Sequence, residues 1–207
     1  GSPMKEVLEY SKESINNSKI LSKLKLEKDK YFIASIHREE NVDSPKKLNQ
    51  IIKSLDEIIN KYDLKIVLSL HPRTKQKIAK QKIKLNKNIL QSPPFGFHDY
   101  IHLQKNAYCV ISDSGTIFEE SSILSFPAVT IREANERPEG IDEGTVIMCN
   151  GLDKNTILKS IDICVSQHNN NPQLIPLDYD VKQVSWKILK SIMSYKDYIN
   201  KKTWFKD

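Results

Sequence analysis

The apolar residues of this chain fall into two rhythms that alternate from one end to the other. Short runs occur at "YFIASI" (31–36), "KIVLSL" (65–70), 88–91, "YCVIS" (108–112), "AVTIR" (128–132) and "GTVIM" (144–148). Their length and β-branched content predict strands buried on both faces. Between them, apolar positions recur three and four residues apart. The clearest case is 44–62, where Leu48, Ile51, Ile52, Leu55, Ile58 and Ile59 make one stripe. Ser44 stands there as an N-cap and Pro45 at the first helical position. Helices are likewise predicted over 74–83, 98–106, 115–124, 153–167 and 181–200, and Val7, Leu8, Ile15, Ile20, Leu21 and Leu24 space a polar N-terminal helical segment. Strand alternating with helix predicts an α/β fold, a parallel sheet with helices on both faces. The Asn/Pro-rich "HNNNPQLIP" (168–176) is a connection ahead of the last helix.

Such sheets bind ligands at the carboxyl ends of their strands. That rule brings His37, His71, the Ser112–Thr116 turn and the loop after Arg132 to one edge. In "CVISDSGTIFEES" (109–121) a strand hands over to a helix through Ser114, Gly115 and Thr116. Glycine lets a backbone approach a ligand, and the free amides and dipole of a helix start favour phosphate. Thr116 and Glu120 share a face, about 6 Å apart along the axis, so a diphosphate at the helix start would bring an attached ribose to the Glu120 carboxylate. The alternative is an ordinary Ser-capped helix with solvated glutamates. His37 can act as an acid or base near neutral pH, and Arg38 can pair with phosphate; a core histidine beside surface charges is the other reading. His71-Pro72-Arg73 either touches an anion or ends its strand. In "REANERPEG" (132–140), Pro138 holds Arg137 extended, a posture that suits phosphate, although a local Glu136–Arg137 or Arg132–Glu133 ion-pair cluster would use the same residues.

With 207 residues, 39% of them hydrophobic, the chain can bury one sizeable core or two small ones. The net charge of +6 raises nucleic acid as a partner. The lysines, however, are spread along the whole chain, with no arginine-rich arm and no aromatic-studded basic stretch, which argues against it. Cys109, Cys149 and Cys164 are odd in number and lack C-x-x-C spacing, so they read as buried reduced thiols of a cytoplasmic protein. No stretch approaches a membrane span and no secretory signal opens the chain. No metal-ligand spacing and no Ser-His-Asp set occurs, and no cofactor is expected.

Taken in order, "HREEN", "SDSGTIFEES", "RE…ERPEG" and "GT" resemble the non-hydrolysing UDP-N-acetylglucosamine 2-epimerase family, over nearly the whole chain and most strongly over 108–148. The resemblance implies two Rossmann-like domains of the glycosyltransferase-B type, of which this chain matches the second. It divides the chain into a hinge and N-terminal helix (1–25), the UDP-binding domain (26–180) and a C-terminal helix (181–207) packing back towards the other domain. Gly1-Ser2-Pro3-Met4 is similar to the family's interdomain hinge and reads either as native sequence or as a cloning remnant.

The implied reaction inverts C2 of a UDP-linked 2-acetamido sugar through a 2-acetamidoglucal, in a full-length homodimer. The resemblance gives Ser114 and the amides of Gly115 and Thr116 to the diphosphate, Glu120 to the ribose, Arg137 to phosphate, His37 to the cleft and the Tyr100 backbone to uracil. It also implies a second, regulatory sugar-nucleotide site near His71. Three positions depart from the pattern: Thr116 replaces a second glycine, Glu39 an arginine, and Arg73 an asparagine. The "HREE" form is similar to the branch acting on UDP-2-acetamido-2,6-dideoxy-hexoses in capsule and O-antigen synthesis. The family's C2 acid–base carboxylates lie on the other domain, and nothing selects Glu39, Glu40 or Glu139 as a substitute. A glycosyltransferase donor domain and a non-catalytic sugar-nucleotide module are the rival functions.

Overall fold

The computed structural model describes residues 1–132, 134–149, 153–170 and 175–205. Six strands, β1 (Tyr31–Ser35), β2 (Lys65–Ser69), β3 (Ile89–Ser92), β4 (Cys109–Ser112), β5 (Ala128–Thr130) and β6 (Ile147–Met148), form one sheet in the order β3-β2-β1-β4-β5-β6. Every pairing is parallel. This is the doubly wound Rossmann order, and its direction reverses between β1 and β4.

Both faces of the sheet are covered, which is why its strands read as continuous apolar runs. Phe32, Ala34, Ile66, Leu68 and Ile111 pack on one side with the stripe of α5 (Pro45–Tyr62) and with Ile157 and Ile161 of α10 (Lys154–Asn170). Tyr31, Ile33, Val67 and Val110 face the other way, against Ile20 of α3 (Ile20–Leu24), Leu103 of α7 (Phe97–Lys105) and Phe118 of α8 (Ile117–Leu124). The start of α5 is as expected: Ser44 Oγ accepts from Lys47 N, and Pro45 is the first helical residue.

The differences from expectation are local. The N-terminal segment is not one helix but α1 (Met4–Tyr10), α2 (Lys12–Asn16) and α3, broken at Ser11 and Asn17. The single-turn helices α4 (Glu39–Val42) and α9 (Glu139–Asp142) are too short to show a period. Helix α6 (Pro72–Lys80) starts two residues early because His71 Nδ1 accepts from Arg73 N and caps it. Of "GTVIM" only Ile147 and Met148 pair, since Thr145 N and Oγ1 both donate to Gly140 O and tie that residue back to α9. Helix α11 (Val184–Lys202) begins after Gln183 in a left-handed conformation. It buries only Val184 and exposes Trp186, Ile192, Met193 and Tyr198. Cys109, Cys149 and Cys164 are free and buried.

Candidate functional site

Where the strand order reverses, the ends of β1 and β4 separate two helical layers and leave a crevice. One carboxylate organises this edge. Asp113, fully buried just past β4, accepts from His37 N (3.0 Å), Arg38 N (2.9 Å) and Asn41 Nδ2 (3.1 Å). Asn41 Nδ2 also donates to Ile131 O, so the loops after β1, β4 and β5 meet at one point. Asp113 Oδ1 lies 3.2 Å from His37 Nδ1. That contact turns Nδ1 inward and leaves Nε2 as the ring nitrogen available to a ligand.

The turn after Asp113 opens helix α8. Ser114 N donates to Ser112 Oγ (3.0 Å) and Thr116 N to Ser114 Oγ (3.4 Å), while the N–H groups of Gly115, Ile117 and Phe118 have no acceptor among the described residues. Two guanidinium groups converge above Gly115. A Cβ placed there would stand 2.6 Å from Arg137 Nη1 and 3.2 Å from Arg132 Nη1. Arg137 Nε is 3.4 Å from Glu119 Oε2; Arg132 Nη2 donates to both oxygens of Glu136 (2.8 and 2.6 Å), and Arg38 Nη2 reaches the same carboxylate at 3.9 Å. The ion pairs of this loop are therefore Arg132–Glu136 and Arg137–Glu119; Glu133 lies outside the described residues.

Glu119 and Glu120 are not solvated; each is 6% exposed. Glu120 accepts from Gln104 Nε2 (2.8 Å), a partner contributed by α7. Burial pushes its carboxyl up, against the hydrogen bonds from Gln104 and Thr116 that favour the charged form. The Tyr100 hydroxyl lies in the same interior, raised first by burial and then by the nearby Glu120 charge. Its main-chain N–H is engaged by Gly96 O (2.9 Å). The edge thus offers free amides, two cations and, one turn along, a buried acceptor. This combination suits an anion joined to a hydroxyl-bearing group.

A sequence model for UDP-N-acetylglucosamine 2-epimerase matches residues 1–193. The chain belongs to the UDP-N-acetylglucosamine 2-epimerase family. The UDP-N-acetylglucosamine 2-epimerase of Methanocaldococcus jannaschii is 38% identical over 146 residues, 69% of this chain and 40% of that protein. The structure of the Rickettsia bellii UDP-N-acetylglucosamine 2-epimerase superposes with a TM-score of 0.86 at 43% identity, covering 100% of this chain and 55% of that one. A complex of the Methanocaldococcus jannaschii enzyme with UDP-GlcNAc and UDP gives a TM-score of 0.82 at 29% identity, over 94% and 54% of the two chains. The chain spans about half the length of these relatives.

Against the pattern of this epimerase family, two of the departures turn out to be one. Glu39 and Arg73, each unusual in the sequence, face each other as an ion pair, and Arg73 also holds Asp43. His71 caps α6 and lies 6.5 Å from the His37 ring, its neighbouring arginine already spent on carboxylates. Glu139 accepts from the Tyr179 hydroxyl (3.3 Å), and Glu40 keeps one buried oxygen without a partner. The sequence reading gave no role to Asp113, Asn41 or Gln104, and it gave Arg132 only a place in an ion-pair cluster. The available signal for Arg132 was an arginine inside the run "AVTIR".

The raised carboxyl of Glu120 has a consequence for stability. A group whose folded-state pKa lies above its unfolded value favours the fold fully below the unfolded value, here 4.5, and that contribution is lost as pH rises through the folded value. Glu120→Gln removes the cost of charging the buried group. Its melting temperature is expected to exceed that of the unsubstituted chain near pH 8 and to lose the advantage near pH 4. A constant difference at both pH values would contradict the assignment.

Proposed function

We propose that this chain is the UDP-binding half of an enzyme that inverts C2 of a UDP-linked 2-acetamido sugar. The observation that carries the reading is the start of α8, where unpaired amides lie under two guanidinium groups and a buried glutamate waits one turn along. In this reading Ser114, Gly115 and Thr116 hold the diphosphate, with Arg137 and Arg38 supplying positive charge. Glu120 accepts from the ribose hydroxyls, and uracil lies against the segment that carries Tyr100. His37, its Nδ1 turned to Asp113, presents Nε2 to the sugar side.

The chemistry needs a leaving group that stays in place. The C2 proton is removed and the C1–O bond to UDP breaks, which leaves a 2-acetamidoglucal and bound UDP. Re-addition of UDP at C1, with a proton delivered to C2 from the opposite face, gives the epimer. Amides and guanidinium groups that grip the diphosphate hold UDP between the two steps. The carboxylates that exchange the C2 proton belong to the part of the longer protein that this chain does not span. The exposed apolar residues of α11 support the same division, since they suit a surface covered by that part. A nucleotide-sugar substrate and three unpaired thiols fit a reducing cytoplasm, and, among the described residues, no helix is long and apolar enough to cross a membrane.

Calorimetric titration tests the reading. The chain alone is expected to bind UDP weakly, to bind uridine more weakly still, and to leave UDP-N-acetylglucosamine unepimerised. Equal affinity for UDP and uridine would remove the diphosphate site, and turnover by the isolated chain would overturn the division of labour.

A further inference from the structure

Arg132 is the most buried charge at this edge. Its side chain is 0% exposed, and among the described residues only Nη2 of its three guanidinium nitrogens is partnered, by Glu136 from the solvent side. Nε and Nη1 are buried without a hydrogen-bond partner among the described residues. A buried guanidinium with two idle nitrogens is costly unless something completes it. Nη1 points to the place where the missing partner belongs. It stands 3.2 Å from the position of a Cβ on Gly115, beside the unpaired amides of α8, and Arg137 Nη1 stands 2.6 Å from the same position. Two cations so close to one point repel each other, and an anion between them adds two attractions that outweigh the repulsion.

We infer that Arg132 is a second, fixed diphosphate-binding guanidinium. Resting on the UDP-binding reading above, the inference divides the two arginines by mobility. Arg137, its side chain 36% exposed and, among the described residues, paired with Glu119 alone, shifts as the ligand enters. Arg132, locked by the core and by Glu136, stays in place and donates from Nη1 to a phosphate oxygen next to the Gly115 N–H. A charge that need not reorganise when its ligand arrives is the more effective of the two. Glu136 then offsets part of the charge from outside the pocket, so the buried cation is tolerated before the ligand binds.

The test is titration of the 207-residue chain with UDP and with uridine. Arg132→Lys keeps the charge but loses the planar donor set, and should weaken UDP about tenfold while leaving uridine unchanged. Equal losses for both ligands, or no loss for either, would mean that Arg132 only braces the loop. If the unsubstituted chain binds no UDP, the site reading itself fails and this inference fails with it. Should the lysine variant not fold, a crystal of the unsubstituted chain grown with UDP decides. Nη1 within hydrogen-bond reach of a phosphate oxygen supports the assignment, and Nη1 turned from the phosphates refutes it.

Discussion

Asp113→Ala is expected to lower the melting temperature by roughly 6–20 °C and to abolish measurable UDP binding. The argument starts from donors. The carboxylate takes His37 N, Arg38 N and Asn41 Nδ2, all in or beside a buried crevice. Alanine leaves the two main-chain groups without their acceptor and Asn41 Nδ2 with Ile131 O alone, at about 1–3 kcal/mol for each buried group that water cannot reach. Water entering from the open edge recovers part of this, so a loss of about 3–5 kcal/mol is expected, the range found when one partner of a buried charged network is removed. Binding fails for a separate reason: Asp113 fixes the loop after β1 against the loop after β4, and with them the places of His37 and Arg38. Asp113→Asn separates the two effects. An amide oxygen at the Oδ2 position can still accept from His37 N, Arg38 N and Asn41 Nδ2, whereas its NH2 takes the Oδ1 position against His37 N and Nδ1, so an intermediate loss is expected. Thermal unfolding followed by circular dichroism measures the series. A melting temperature within about 2 °C of the unsubstituted chain, under 1 kcal/mol at this size, would show that the carboxylate does not organise the edge.

The same residue shows what could be read in advance and what could not. The alternating rhythm announces the layers because strands buried on both faces and helices buried on one have different periods, and both periods survive in the sequence. The turn proposed to hold the diphosphate was legible because its elements are local: Ser114, Gly115 and Thr116 are contiguous, and Glu120 is one helical turn on. Asp113 lies in the same stretch yet looked like one more polar turn residue. Its partners are 72 to 76 positions away and are brought near only because β4 pairs with β1 rather than with β3. Gln104 and Glu120 meet for a similar reason, through the packing of α7 beside α8. Arg132 failed differently: in the sequence it reads as a member of a local ion-pair cluster, and only tertiary burial reveals it as interior. Glu39 and Arg73 were each noticed, one at a time; their ion pair needs α4 to lie against α6. Local grammar therefore carried the turn proposed to bind the anion, and long-range pairing carried the residues that brace it.

Gly115→Val is expected to reverse the pattern seen with Asp113, leaving the fold standing while closing the site. Gly115 does not have a positive φ, so no backbone strain follows from adding a side chain. What the glycine provides is room. The nearest obstacle to a Cβ is Arg137 Nη1 at 2.6 Å, the far end of a partly exposed side chain that can move; Arg132 Nη1, at 3.2 Å, lies only slightly inside ordinary van der Waals contact. The melting temperature should therefore shift by no more than a few degrees, the equivalent of about 1 kcal/mol. For the ligand the consequence is severe. A phosphate oxygen must come within about 2.9 Å of an amide nitrogen to accept from it, whereas a methyl group needs roughly 3.5–4.0 Å of its own. Valine methyls fill the space between the α8 amides and the arginines, so contacts on both sides of the phosphate are lost together. At about 1.5–3 kcal/mol for each charged hydrogen bond, two such losses weaken UDP by a hundredfold or more. Uridine, which makes no use of this turn, should bind as before. Retained UDP affinity in the valine variant would place the diphosphate elsewhere, and the roles given to Ser114, Thr116, Arg137 and Arg132 would go with it.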